Sequence, residues 1–312
     1  MAKCLVLGAN GFIGSHLVDA LVEAGHTVRA FDRFSAGVVF NDSDSIEKVY
    51  GNFLNKSELC DALQDQEYVF HFISTTTPAT AENDPLIDIE TNIRMSVELF
   101  QECVDAGVKR VLFASTGGAI YGGASELPHA ETDRPEPVSP YAIGKLTIEH
   151  YLRYFNIKHG LDSVTLRISN PYGERQPLRR KQGVVPIFLE NIATDQPLTV
   201  LGDGSMVRDY VYVKDVAAMV AGMFDKDAQH AVYNLGSGSG VSVNELVAAV
   251  EHVSGKKAVV EHKPVPTTFL PHVVLDTSLF TDEFGLRPET SLSDGLSATF
   301  AYVQAGVQPN HE

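Results

Sequence analysis

Through its first half the chain alternates short apolar runs with stretches of helical spacing. Residues 4–7 form an apolar run that ends in glycines. Residues 13–24 repeat apolar side chains every three or four positions, and Gly25 stands where a helix would stop. Further short runs at 27–31, 47–50, 68–72, 110–114 and 164–168 read as strands, the first of them closed by Asp32. Between them, 57–63, 88–106 and 141–159 carry the helical period. This strand–helix–strand rhythm predicts a parallel sheet with helices on both faces.

After Asn170 the pattern changes. Pro, Gly and charged residues become frequent through Gly204, interrupted by a helical segment at 185–193. Strands are expected at 207–213 and 232–235, and helices at 243–253 and 292–305. The change of character divides the chain into a larger unit, 1–169 plus about 208–235, and a smaller one, about 170–207 and 236–312. There is no internal repeat and no low-complexity segment.

Composition narrows the function classes. Lys plus Arg number 24 against 40 Asp plus Glu, a formal charge of −16. So acidic a chain is unsuited to non-specific contact with nucleic acid or an anionic membrane. A local basic cluster remains at Arg175, Arg179, Arg180 and Lys181, either the rim of a phosphate site or a solvated loop. Cys4, Cys60 and Cys103 are odd in number and widely spaced, which argues against a disulfide framework or a zinc site and for reduced thiols. No metal is expected. No apolar stretch approaches the roughly 20 residues that span a bilayer, and the N-terminus lacks a signal-peptide pattern. A cytoplasmic location is therefore expected.

The first chemical signal is Gly8-Ala9-Asn10-Gly11-Phe12-Ile13-Gly14, set between the first strand and the first helix. Glycines there let the backbone turn tightly and approach a pyrophosphate at the positive helix end. The spacing GxxGxxG departs from the usual GxGxxG. Asp32, at the end of the second strand, is placed to accept hydrogen bonds from the ribose hydroxyls and to repel a 2′-phosphate, which favours NAD over NADP. Arg33 beside it softens that preference.

The second signal is Tyr141 and Lys145, one helical turn apart and therefore on one face. A free tyrosine titrates near pH 10, too high for a base at neutral pH. A neighbouring ammonium and the positive nicotinamide would lower it by stabilising the phenolate.

GANGFIG, Tyr141-Ala-Ile-Gly-Lys145, Arg167-Ile-Ser-Asn170-Pro-Tyr-Gly173 and Arg208-Asp-Tyr-Val-Tyr-Val213 occur in that order. Together they resemble the extended short-chain dehydrogenase/reductase family, in particular NAD-dependent sugar epimerases and dehydratases of the UDP-galactose 4-epimerase type. The likeness covers nearly the whole chain. It implies an α/β fold: a Rossmann-type doubly wound parallel sheet that keeps NAD bound, with a smaller mixed α/β C-terminal domain for the nucleotide sugar. It implies Tyr141 as general base and acid and Lys145 as its partner and a ribose ligand. Asn52, Phe53 and Asn92 join the glycine loop, Asp32 and Arg33 on the cofactor side. A homodimer through the helices holding Asn92 and Tyr141 is also implied.

The family needs a hydroxyl at the strand end before this helix, and here the registers disagree. Counting back from Tyr121-Gly122 gives Gly117; counting from Tyr141 gives Thr116. Thr116 is favoured, with Ser115 as the fallback, because glycine has no hydroxyl. Family dehydratases carry a Thr-Asp-Glu run in this region, since eliminating water needs an extra acid and base. Residues 116–119 hold no carboxylate, so epimerisation is the expected reaction. In it, Tyr141 takes the 4-hydroxyl proton as hydride leaves C4, the 4-keto sugar turns over, and hydride returns to the other face.

For the substrate, the resemblance assigns Asn170 and Arg208 to the diphosphate, backbone groups of Thr199 and Leu201 to the base, and Val185 to the pocket. A surface ion pair with Asp209 is the competing use of Arg208. The family's Arg-x-x-Asp before the last strand is missing from residues 266–269, so some contacts must differ. Val273, three residues before Asp276, occupies a gate position where a bulky aromatic excludes N-acetyl sugars. Valine is small, so UDP-N-acetylglucosamine and UDP-N-acetylgalactosamine are expected to be admitted. A reductase or decarboxylase of the same fold, or a non-catalytic NAD-binding regulator, are the competing readings.

Overall fold

The computed structural model describes residues 1–35, 37–123, 127–177, 183–265 and 270–307. β1 (Lys3–Leu7) is buried over its last four residues, and Gly8, at φ +83°, turns the chain into α1 (Phe12–Glu23). There follow β2 (Thr27–Asp32), β3 (Ile46–Tyr50), α2 (Lys56–Leu63), β4 (Tyr68–His71), α3 (Pro78–Asn83) and α4 (Pro85–Asp88). A π-helical turn, Ile89–Ile93, joins α4 to α5 (Arg94–Asp105). β5 (Arg110–Thr116) leads through the short α6 (Gly117–Ile120) to α7 (Pro140–His159) and β6 (Asp162–Ile168).

The second half contains β7 (Asn170–Tyr172), α8 (Val184–Ala193), β8 (Leu198–Leu201), β9 (Val207–Tyr212), α9 (Val213–Met223), β10 (Val232–Leu235) and β11 (Gly240–Ser242). It ends with α10 (Val243–Ser254), β12 (Val260–Lys263), β13 (His272–Val273), α11 (Ser278–Phe284) and α12 (Leu292–Val307).

The large sheet runs β10-β6-β5-β4-β1-β2-β3, and every pairing in it is parallel. Side chains alternate across it. Leu112 and Ala114 of β5 join the core beneath α1 and α9, while Val111 and Phe113 join the core beneath α2, α5 and α7. Burial of both faces makes this a Rossmann-type doubly wound α/β fold. In the smaller unit β9 pairs with β7, β11 and β13, β8 pairs with β12, and α8, α10 and α12 close a core around Phe188, Leu246 and Leu296. Among the described residues no helix is long and apolar enough to cross a membrane.

Differences from the sequence reading have local causes. The strand expected to reach 213 stops at Tyr212, and 213–223 forms α9, whose nearly all-apolar composition hides a helical period. Of the stretch 208–235, β10 joins the large sheet and α9 packs on α1, while β9 belongs to the small one. The single helix expected at 88–106 is two pieces joined by the π turn. α3 and α4 went unforeseen because they are short and held by caps. Thr77 forms a capping box ahead of Pro78, and Asp84 accepts from Leu86 N ahead of Pro85.

Candidate active site

The glycine loop is a cradle that side chains would fill. A β-carbon on Gly8 would lie 2.8 Å from Ile73 Cα, one on Gly14 would overlap the Gly8 carbonyl, and one on Gly11 would press it at 3.0 Å. The N-cap of α1 is Gly11, which supplies no side-chain cap. The first-turn amides of Phe12, Ile13 and Gly14 therefore have no intrahelical acceptor and point from the positive helix end, which fits a pyrophosphate. The Asp32 carboxylate is aimed by the same loop: Asn10 N donates to Oδ2 at 3.0 Å and Arg33 N to Oδ1 at 2.7 Å. Arg33 itself is exposed. Asn52 donates its backbone N–H to Glu58 and accepts from Leu54, a local cap over α2. The Phe53 ring is core, 2% exposed and 5.4 Å from the His71 ring, so only its backbone is available to a cofactor.

Ser139 caps α7 by accepting from Ala142 N, and Pro140 follows at the first helical position. This start sets Tyr141 and Lys145 over the end of β5. Lys145 Nζ donates to Ala114 O at 2.8 Å and sits 4.8 Å above the Phe113 ring and 5.8 Å from the Tyr141 ring centre. Burial pulls the Lys145 ammonium down to about 8, against the fields of Asp88 and Glu149. Burial, reinforced by Asp88, pushes the Tyr141 phenol up to about 12. The expected lowering of the phenol is thus not achieved by the protein alone, because burial and then the Asp88 charge both favour the neutral phenol.

The three positions at the end of β5 differ in what they touch. Ser115 Oγ donates to Glu149 Oε1 at 2.5 Å, and Glu149 in turn pairs with Arg167 at 2.8 Å, all three side chains buried. Gly117 is buried where a β-carbon would overlap Leu275 and lie 2.8 Å from Arg167 O. Thr116, half-buried at the strand end, makes no side-chain hydrogen bond to the described residues. Asn92 lies in the π turn with its amide fully used. Its Oδ1 accepts from Thr75 N (2.9 Å) and Thr75 Oγ1 (3.0 Å), and its Nδ2 donates to Thr76 Oγ1 and Asp88 Oδ1, both at 2.8 Å. It fixes the loop after β4.

On the substrate side, Asn170 Nδ2 donates to Asp209 O at 3.0 Å. Arg208 does not pair with Asp209. Its guanidinium donates to Val207 O at 2.8 Å and Leu270 O at 2.7 Å, half-buried, with no carboxylate partner among the described residues. Asp209, fully buried, instead accepts from Ser237 N (2.8 Å) and Ser237 Oγ (2.7 Å). In β8, Leu198 N donates to Val259 O and Gly202 N to Lys263 O, both at 2.8 Å, so Thr199 and Leu201 turn their backbone groups away from β12. Val185 is buried in the core of the smaller unit. Val273 is 2% exposed, in register with Arg208. Arg175 leaves the suggested phosphate rim: it pairs with Asp19 at 2.8 Å and donates to Ser15 O at 3.1 Å, tying its loop to α1. Arg179, Arg180, Lys181 and residues 266–269 lie outside the described residues.

Two groups escaped the sequence reading. Glu149, one turn beyond Lys145, forms the buried pair with Arg167, whose Nη1 reaches Tyr121 Oη at 3.0 Å. Its i+4 spacing from Lys145 was the available signal. Asp88, 4% exposed, bears on both Tyr141 and Lys145, and only the fold brings it there.

Residues 4–236 match the model of the NAD dependent epimerase/dehydratase family. UDP-glucose 4-epimerase of Mycolicibacterium smegmatis is 33% identical over 97% of this chain and 98% of its own. Among solved structures, UDP-glucose 4-epimerase from Thermotoga maritima, with UDP-glucose, is 36% identical at a TM-score of 0.91, covering 98% of this chain and 100% of that one. UDP-N-acetylglucosamine 4-epimerase from Methanobrevibacter ruminantium, in complex with UDP-N-acetylmuramic acid, reaches the same TM-score at 29% identity, covering 98% of this chain and 99% of its own. The chain belongs to the NAD-dependent epimerase/dehydratase family, as the order of its motifs implied. It is an enzyme, and its cofactor is NAD.

Proposed function

We propose that this enzyme inverts C4 of a UDP-hexose and that it accepts UDP-N-acetylglucosamine and UDP-N-acetylgalactosamine. The observation that carries the reading is the Tyr141–Lys145 pair seated over the end of β5, the strand that closes with Thr116, with no carboxylate in 116–119. NAD, when bound, supplies a reversible hydride acceptor, which inversion at an unactivated carbon requires. Tyr141 holds and moves the proton of the 4-hydroxyl. Lys145 holds the ribose and supplies positive charge beside the phenol. Thr116 donates to the sugar oxygen, since Ser115 is committed to Glu149 and residue 117 has no side chain. Phe12, Ile13 and the three loop glycines hold the pyrophosphate, Asp32 the adenosine ribose, and Asn52 lines the adenine side.

Asn170 and Arg208 hold the diphosphate of the sugar nucleotide in the smaller unit, and the free edge of Thr199 and Leu201 receives the base. An arginine satisfied only by carbonyls keeps its charge for an anionic ligand. Val273 leaves room for an N-acetyl group. The solved relatives support both sugars, one carrying UDP-glucose and one named for UDP-N-acetylglucosamine. Exposed Leu86, Ile87, Ile89, Ile143, Tyr154 and Ile157, on α4, the π turn and α7, suit burial in a homodimer. Three free thiols, two of them buried, agree with a cytoplasmic setting.

Proton NMR of the purified protein with UDP-N-acetylglucosamine, and separately UDP-glucose, tests the reading. The expected result is growth of the 4-epimer's anomeric signal to a constant ratio. No conversion of either sugar overturns it and favours a reductase or decarboxylase of the same fold.

A further inference from the structure

Asp88 closes α4 and is almost wholly buried. Its Oδ1 accepts from Thr76 Oγ1 at 2.5 Å and Asn92 Nδ2 at 2.8 Å. Its Oδ2 accepts no hydrogen bond from the described residues and lies against the Cα of Gly144, where a β-carbon would overlap it. Gly144 falls between Tyr141 and Lys145 on α7, so the carboxylate enters the catalytic helix through the gap a missing side chain leaves.

A buried carboxylate without a cation is unfavourable unless something nearby answers its charge. No Lys or Arg among the described residues pairs with Asp88. The other charged groups near the catalytic pair do not take its place. Glu149, on α7 itself, adds a smaller field at Lys145 than Asp88 does and is already paired with Arg167 from β6 at 2.8 Å. His71, from β4, is held neutral by burial and the Lys145 charge. The charges of α3, α5 and α6 among the described residues do not figure in the balance of either Tyr141 or Lys145.

We propose that Asp88 is a positioning residue of the reaction, supplying through the Gly144 gap the counter-charge that keeps Lys145 an ammonium beside Tyr141. This rests on the roles given to Tyr141 and Lys145 above. The sign is fixed: a negative charge stabilises the protonated form of both groups. Burial already brings Lys145 to about 8 with Asp88 in place. Without that charge the ammonium is lost closer to neutral pH.

Two variants test this. Asp88→Asn keeps the shape and an oxygen for Thr76 while removing the charge. Gly144→Ala keeps the carboxylate but pushes it away. Two readouts apply: kcat/KM for UDP-glucose against pH, and NMR titration of nitrogen-labelled lysine side chains, with Lys145→Met identifying the Lys145 signal. The expected result for Asp88→Asn is an alkaline limb and a Lys145 midpoint both lower by about one pH unit, the scale of one nearby charge. Gly144→Ala should move both in the same direction, by less. Folded variants with the wild-type limb and midpoint would overturn the proposal and leave Asp88 a purely structural residue. Should Asp88→Asn fail to fold, Gly144→Ala decides alone. If the wild type converts no UDP-hexose, the proposed function fails, and the lysine titration still decides the role of Asp88.

Discussion

The ammonium of Lys145 is bonded to the backbone oxygen of Ala114, 2.8 Å away, and not to the phenol of Tyr141 one helical turn before it. The strand end therefore fixes where the positive charge sits, and the phenol is free to face a substrate. Tyr141→Phe removes the proton carrier and leaves the packing. Turnover should fall by about a hundredfold or more, with an unchanged far-ultraviolet circular dichroism spectrum and melting temperature. Retained turnover would move the proton transfer to another group.

Ser115 and Thr116 should separate stability from catalysis. Ser115→Ala deletes a donor to the buried Glu149 carboxylate, worth about 1.5–3 kcal/mol for a hydrogen bond to a charged group. It should lower the urea midpoint and leave kcat within about threefold. Thr116→Val keeps shape and stability but loses the hydroxyl, and kcat should drop by about tenfold or more. The opposite pattern would make Ser115 the reacting hydroxyl.

His71 makes stability depend on pH. Its ring is buried, Nε2 is bonded to Ser96 Oγ at 2.7 Å, and burial followed by the Lys145 charge lowers its pKa from 6.5 to about 3. The folded protein thus favours the neutral ring, and that contribution is full above the unfolded value and lost as pH falls from about 6.5 towards 3. Between pH 7 and pH 5 the loss should be about 2 kcal/mol. Urea unfolding of the wild type and of His71→Gln at both pH values checks this. Equal losses in the two proteins would assign the effect to other groups.

What could be read in advance was what is local. β1, the glycine turn, α1 and Asp32 announce themselves because turn chemistry and helix period act over a few residues. Tyr141 and Lys145 do so because i and i+4 share a face. The commitment of Ser115 could not be read, since its partner Glu149 is 34 residues away and arrives only when α7 packs on β5. Nor could the use of Gly144, which looks like an ordinary helix glycine until Asp88 is seen to fill its place. The competing Arg208–Asp209 ion pair does not form for the simplest reason: neighbours on a strand point to opposite faces.

Arg208 should be a binding residue more than a rate-setting one. It is held by carbonyls on one side, and its proposed partner, the diphosphate, is a group equally present before and during the reaction. Arg208→Leu should raise KM for the UDP-sugar about tenfold or more and change kcat less. Because the variant also strips donors from Val207 and Leu270, its melting curve must be recorded beside the kinetics. A KM equal to the wild type in a folded variant would move the diphosphate elsewhere.

Val273 bears on which sugar fits. It is buried on β13 directly across from Arg208, which under the proposed function sets it beside the sugar of a bound UDP-sugar. Tyrosine there brings a ring that packing forces outward, since overfilling a closed core costs about 1–3 kcal/mol. The ring would enter the space an N-acetyl group needs but a hydroxyl does not. Val273→Tyr should therefore lower kcat/KM for UDP-N-acetylglucosamine by about tenfold or more, while UDP-glucose changes by less than about threefold. Discrimination between the two sugars is the readout, because misfolding lowers both alike. An equal loss for both would remove Val273 from the sugar site and leave its burial as ordinary core packing.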